Sequence, residues 1–238
     1  MKLAILDAVP LKFVHVDQNR TDGSKFVHLL TDAGFMGEMV CYNITNDEFP
    51  QSIDEYDAFL VTGSPSSVYE DHAWIETLLT FIRAVDAKKK PLVGICFGHQ
   101  AIAQALGGQV KKNDDGWLLG LESFQVTDAP SWMEPAVETC QIYHINQDQV
   151  INLPPNAHHI GYSAQCPNSM YTIGDHIFSV QGHPEQYLSS MRNFIGELAS
   201  VLDPDVIAHA EATFQAGEPD RLLVGRWICQ FLTKDRKD

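Results

Sequence analysis

The sequence predicts an α/β fold: a mostly parallel sheet with helices on both faces, some antiparallel additions and a helical extension at the C-terminus. Three observations carry this expectation. Short apolar runs alternate with amphipathic stretches through residue 106, and parallel strands require such crossover connections. Between residues 109 and 180 the texture changes to short strand-like pieces that suit antiparallel pairing, and beyond residue 187 it is helical. At 238 residues, with 45% hydrophobic side chains including 12 Phe, 7 Tyr and 4 Trp, the chain suits one large core.

Residues 3–6 read as a buried strand and 22–33 as a helix that turns Phe26, Val27, Leu29 and Leu30 to a sheet. Strands follow at 39–42 and 56–61, the latter closed by the turn-rich Thr62-Gly63-Ser64-Pro65-Ser66-Ser67. From residue 72 to 88, Ile75, Leu78, Leu79, Ile82 and Val85 keep helical spacing, and Lys88-Lys89-Lys90 supplies cations where a helix C-terminus favours them. A buried strand at 91–95 runs straight into a helix over 97–106, which Gly107-Gly108 stops. Strand-like pieces lie at 122–126, 141–144, 159–162 and 177–180. Helices are expected at 187–202 and, in two stretches parted by Gly217-Glu218-Pro219, over 204–232. The closing Lys234-Asp235-Arg236-Lys237-Asp238 reads as a solvated end.

Lys plus Arg (16) against Asp plus Glu (31) leaves a net charge of −15, which repels nucleic-acid backbones and anionic lipid. No apolar run reaches membrane-span length, and Asp7 breaks the N-terminal stretch too early for a signal peptide, so a cytoplasmic location is expected. Five scattered cysteines without a CxxC pair fit neither a disulfide framework nor a zinc site, and no metal or cofactor is expected. His158-His159 lacks a ligand pattern, Trp117 and Trp132 read as packing or pocket-lip residues, as do His72 and Trp74, and no phosphate-binding loop occurs.

Gly94-Ile95-Cys96-Phe97-Gly98 has the form G-x-C-x-G at a predicted strand-to-helix junction. Small residues on either side permit the sharp turn that presents a nucleophile at the strand's end, with the helix N-terminus beneath it favouring thiolate. A thiolate needs a base, and the base an orienting group. In Val180-Gln181-Gly182-His183-Pro184-Glu185, His183 and Glu185 stand two apart and leave an extended backbone on one face, while Pro184 places the segment at a strand end or edge. Strand ends are where open α/β sheets bind their ligands.

Gly94-Ile95-Cys96-Phe97-Gly98-His99-Gln100, with Gly182-His183-Pro184-Glu185 further on, resembles the class I, or triad, glutamine amidotransferase family. The resemblance covers roughly residues 1–200, including Thr62-Gly63-Ser64, and implies a doubly wound, flavodoxin-like domain there, while the helical stretches of residues 201–238 read as an extension packed on the same domain. It implies Cys96 as nucleophile, His183 as general base and acid, and Glu185 as the orienting carboxylate. An oxyanion formed on attack needs backbone donors, each contributing about 2.7–4 kcal/mol. The N–H of Phe97 is one candidate, and the Gly63 or Ser64 region supplies the other. The resemblance further implies that Gln100 helps hold substrate. Where a His-Gln-Asp pattern is common in the family, this chain has Tyr143-His144-Ile145-Asn146-Gln147-Asp148, so either Asn146 or His144 lines the pocket.

The expected activity is a cysteine hydrolase that attacks the γ-carboxamide of glutamine, forms a γ-glutamyl thioester and releases ammonia. No acceptor domain fits in the chain, so an ammonia acceptor would be a separate synthase. The stand-alone branch of the family offers an alternative, a γ-glutamyl peptidase acting on γ-glutamyl peptides. An alternative of another class is a catalytically silent binding or regulatory subunit. The expected partner of the site is a small molecule, glutamine or a γ-glutamyl compound.

Overall fold

The computed structural model describes residues 1–11 and 21–235. Strands and helices are numbered in chain order. β1 (Lys2–Asp7) lies between β2 (Glu38–Asn43) and β3 (Ala58–Val61), parallel to both. β4 (Leu92–Ile95) runs parallel to β3, and β11 (Ile177–Val180) parallel to β4. From β11 outward the pairing is antiparallel, through β10 (Met170–Ile173), β9 (Ala157–Tyr162), β6 (Leu118–Val126) and β7 (Thr139–Asn146). The order is β2-β1-β3-β4-β11-β10-β9-β6-β7. A separate antiparallel ribbon joins β5 (Gln109–Lys112) to β8 (Asp148–Asn152).

Alternation along the parallel strands divides the core between the two sheet faces. Leu3, Ile5, Leu60, Val93 and Ile95 face α1 (Asp22–Asp32) and α6 (Arg221–Thr233), which supply Phe26, Leu29, Trp227 and Phe231. Ala4, Leu6, Phe59, Val61 and Leu92 face α2 (Ala73–Ala87) and α3 (Phe97–Ala105), with Ile75, Leu78, Ile82 and Ile102. Helices therefore cover both faces. A third cluster packs Leu119, Leu121 and Tyr143 against Met191, Ile195 and Phe214 of α4 (Leu188–Leu198) and α5 (Pro204–Ala216).

Local chemistry fixes the helix ends. Thr21 caps α1 by accepting the Ser24 N–H, and Asp203 caps α5 through the Asp205 N–H ahead of Pro204. The helix predicted over 187–202 ends at Leu198, where Val201 and Leu202 fold their N–H groups back onto the Leu198 carbonyl. Strands β5, β8 and β10 lie outside the sequence expectation. Of the closing charged residues, Lys234 stacks over the ring of Trp132, and Arg236 to Asp238 lie outside the described residues. His158 pairs with Asp128 at 2.8 Å. No helix among the described residues is long and apolar enough to cross a membrane.

Because β2 and β3 flank β1 on opposite sides, the strand order reverses there, and the segments leaving the carboxyl ends of β1, β3 and β4 gather at one edge. That edge holds the site.

Candidate active site

Cys96 occupies the single residue between β4 and α3, with φ 51° and ψ −104°. A non-glycine residue with positive φ is strained, and such strain persists only where the surroundings enforce it. The surroundings here are close. A Cβ on Gly94 would lie 2.5 Å from Ile102 Cδ1 and 2.7 Å from the Gly98 carbonyl oxygen, and one on Gly98 would run into the Val61 carbonyl. The Cys96 N–H bonds to the Val180 carbonyl at 2.9 Å, and the Gly98 N–H to the Thr62 carbonyl at 3.1 Å. The elbow is thus tied to both neighbouring strands, and the G-x-C-x-G spacing is a packing requirement.

His183 follows β11 in a segment held by its own N–H, which bonds to the Tyr143 carbonyl at 2.7 Å. Its Nδ1 meets Glu185 Oε1 at 2.7 Å, its buried Nε2 has no hydrogen-bond partner among the described residues, and Cys96 is close enough for its charge to act on the ring. Glu185 is fully enclosed. Burial works against the charged imidazole, yet the charges of Cys96 and Glu185 beside it outweigh that and hold His183 well above its ordinary pKa. Burial likewise works against the Glu185 carboxylate, and the adjacent His183 overcomes it, leaving the acid below its ordinary value. Imidazole and carboxylate therefore form a buried pair beside the cysteine of an open cleft.

The cleft has a volume of about 460 Å³, and Cys96, His183, Ser64, Gln100, Asn146 and Lys25 are in its wall. Gly63 stands behind Cys96 and His183. A Cβ there would come 2.8 Å from His183 Cε1 and 3.7 Å from Cys96 Cβ, so only glycine leaves the imidazole its place. Phe97 is the first residue of α3, where an amide has no acceptor within the helix, and its ring is fixed 5.5 Å from that of Trp74.

Gln100 reaches the cleft, but its amide is engaged within the protein. Its Nε2 donates to the Asp148 carbonyl at 2.8 Å and to Gln181 Oε1 at 3.2 Å, and Gln181 Nε2 in turn points at Cys96 Sγ from 3.6 Å. Of the two alternatives on β7, Asn146 lines the cleft. His144 lies deeper, with Nδ1 3.2 Å from Asn146 Oδ1 and Nε2 under Gly182, and burial pushes its imidazole down to about 4. It is a neutral support for Asn146.

Sequence reasoning missed Gln181, Gln186, Lys25 and Arg221. Lys25 carried a readable signal: positions 22, 25, 26 and 29 share one helix face, which places a cation on the apolar side of α1.

Comparison with known proteins shows the family to which the chain belongs. The family model described as "Glutamine amidotransferase class-I" matches residues 19–198. Gamma-glutamyl peptidase 5 of Arabidopsis thaliana is 31% identical over 208 residues, 83% of this chain and 82% of the peptidase. Gamma-glutamyl peptidase 3 of the same plant is 29% identical over 226 residues, 90% of each chain. The crystal structure of a glutamine amidotransferase from Thermotoga maritima superposes with a TM-score of 0.77 at 16% identity, covering 98% of this chain and 99% of that one, which speaks for the fold alone. A match spanning most of the chain, around an elbow cysteine on this sheet, makes the chain a member of the class I glutamine amidotransferase family.

Proposed function

We propose that the chain is a cysteine hydrolase of γ-glutamyl amide bonds, with Cys96 as nucleophile, His183 as proton carrier and Glu185 as the group that orients it. The observation that carries this reading is the 2.7 Å contact from His183 Nδ1 to Glu185, which leaves the buried Nε2 of a ring under the influence of Cys96 without a protein hydrogen bond. Cys96 Sγ, its proton taken by His183 Nε2, attacks the γ-carbonyl carbon. The oxyanion is held by the N–H of Phe97 and by a backbone donor from Gly63 or Ser64. His183 then returns its proton to the departing nitrogen, and the amine leaves with the γ-glutamyl group bound as a thioester. Water, deprotonated by the same imidazole, attacks that thioester, the C–S bond breaks to release glutamate, and the departing Cys96 sulfur takes the proton back from His183.

γ-Glutamyl peptides are the substrate class favoured here. The cleft has room beyond a γ-glutamyl group, and the peptidases are similar along nearly the whole chain. The second reading, glutamine hydrolysis with ammonia passed to a separate synthase, draws on the family model. Purified protein assayed with γ-glutamyl dipeptides and with glutamine separates the two: faster cleavage of the dipeptides supports the first. Cys96→Ala should abolish either activity. A Cys96→Ala protein that retains near wild-type turnover would refute the mechanism, and a wild type that hydrolyses neither compound, with Cys96 no more reactive than the other thiols, would leave a binding subunit.

A further inference from the structure

We propose that Lys25 is a positioning residue for this hydrolysis: its ammonium, paired with Asp22 and bonded to Gln186, keeps the Glu185 carboxylate charged and in place behind His183. The inference rests on the triad reading above and extends the triad into α1. Lys25 is only 2% exposed. Its Nζ meets Asp22 Oδ1 at 2.7 Å and Gln186 Oε1 at 3.2 Å, and Gln186 Nε2 donates to Glu185 Oε1 at 3.1 Å, the same oxygen that receives His183. Cation, amide, carboxylate and imidazole thus form one hydrogen-bonded chain that ends beside Cys96.

Packing does not account for this arrangement. A buried ammonium is costly even when paired, and an apolar residue at position 25 would continue the stripe that Phe26 and Leu29 begin. The need lies with Glu185, which is fully buried, and a carboxylate without water around it takes up a proton unless cations face it. The charged groups that act on its carboxylate are His183 on its own segment and Lys25 and Asp22 from α1, with Cys96 beyond the imidazole, while Arg221 from α6 reaches only the backbone carbonyls of Pro184 and Glu185. Asp22 opposes Lys25, but its own carboxyl is raised by burial and by Glu185, despite the pull of Lys25. Without Lys25, His183 would have to neutralise Glu185 while also exchanging protons with sulfur and substrate.

The test compares wild type with Lys25→Met and with Lys25→Gln, whose neutral amide removes the cation but can still hydrogen-bond to Asp22 and Gln186 if the apolar variant fails to fold. kcat and KM are measured against pH on a γ-glutamyl dipeptide, and the rate of Cys96 alkylation by iodoacetamide is followed by mass over the same range. Loss of the cation raises the pKa of Glu185, so the acidic limb of both profiles should move up by about one pH unit, with kcat on that limb falling about tenfold and KM nearly unchanged. Unmoved limbs, or a rise in KM alone, would overturn the proposal. Alkylation needs no turnover, so it decides the role of Lys25 even if the wild type cleaves no γ-glutamyl compound.

Discussion

Arg221, the first residue of α6, donates its Nε–H to the Pro184 carbonyl at 3.0 Å while its guanidinium lies 3.7 Å from the ring centre of Tyr187. A cation at a helix N-terminus opposes the helix dipole, so the helix itself gives no reason for its place. The neighbouring residues show the same attachment: Asp220 bonds to Gln141 through both its backbone N–H and its carboxylate, and Gln141 Nε2 donates to the Glu218 carbonyl. The segment that begins α6 therefore grips β7 and the backbone between His183 and Glu185, although it lies beyond the residues that the family model matches.

Arg221→Leu keeps much of the packing on Tyr187 and removes the bond to the Pro184 carbonyl. A charged hydrogen bond of this kind contributes about 1.5–3 kcal/mol, so denaturant unfolding should show a loss of that order. Turnover should fall with it, because the backbone that carries His183 and Glu185 loses an anchor. An unchanged kcat in a destabilised protein would show that the anchor serves the fold alone.

Gly63→Ala tests the crowding behind the imidazole. The added methyl would come 2.8 Å from His183 Cε1, against a side chain and not backbone, so the protein should fold with the ring displaced. A shift of this size in a catalytic group lowers kcat on the order of 10²-fold. Wild-type kcat for Gly63→Ala, measured beside an unchanged melting temperature, would show that the ring has room to spare.

The parts of the site legible in the sequence are those set by local backbone. The elbow at Cys96 and the two-residue step from His183 to Glu185 depend on residues close along the chain, and the apolar alternation of β1, β3 and β4 marks buried strands directly. What escaped depends on remote packing. β5 buries only Val110 among Gln109 to Lys112, which leaves no periodic signal. His144 and Asn146 point to the same side of β7, and only the tertiary arrangement decides that the one nearer the strand end reaches the cleft. Gln186 and Arg221 matter through partners far along the chain, which pattern alone cannot pair.

Glu185→Gln keeps the shape of the proposed triad and removes its charge. The imidazole loses the partner that stabilises its cation, while the cleft wall is untouched because Glu185 does not line it. Turnover should fall about 10²–10⁴-fold with KM nearly constant. A rise in KM without loss of kcat would show that the residue acts on binding.

Two buried histidines outside the proposed triad contribute to the pH dependence of stability. Burial pushes His99 down to about 3 and His144 to about 4, whereas in the unfolded chain both titrate near 6.5. As pH falls below about 6.5 the unfolded state takes up protons that the native state refuses, so each ring removes about 1.4 kcal/mol of stability per pH unit until its folded pKa is reached. Asp7 works in the opposite sense. Burial and the nearby Asp22 raise its carboxyl to about 6, so the native state gains a proton between roughly pH 6 and 4 and recovers part of the loss. Replacing one ring isolates its share: in His144→Gln, the fall in unfolding free energy between pH 6 and 4.5 should be shallower than in wild type by about 1.4 kcal/mol per unit. Identical slopes in the two proteins would mean that His144 takes up its proton in the native state, and that its burial in the fold does not keep it neutral.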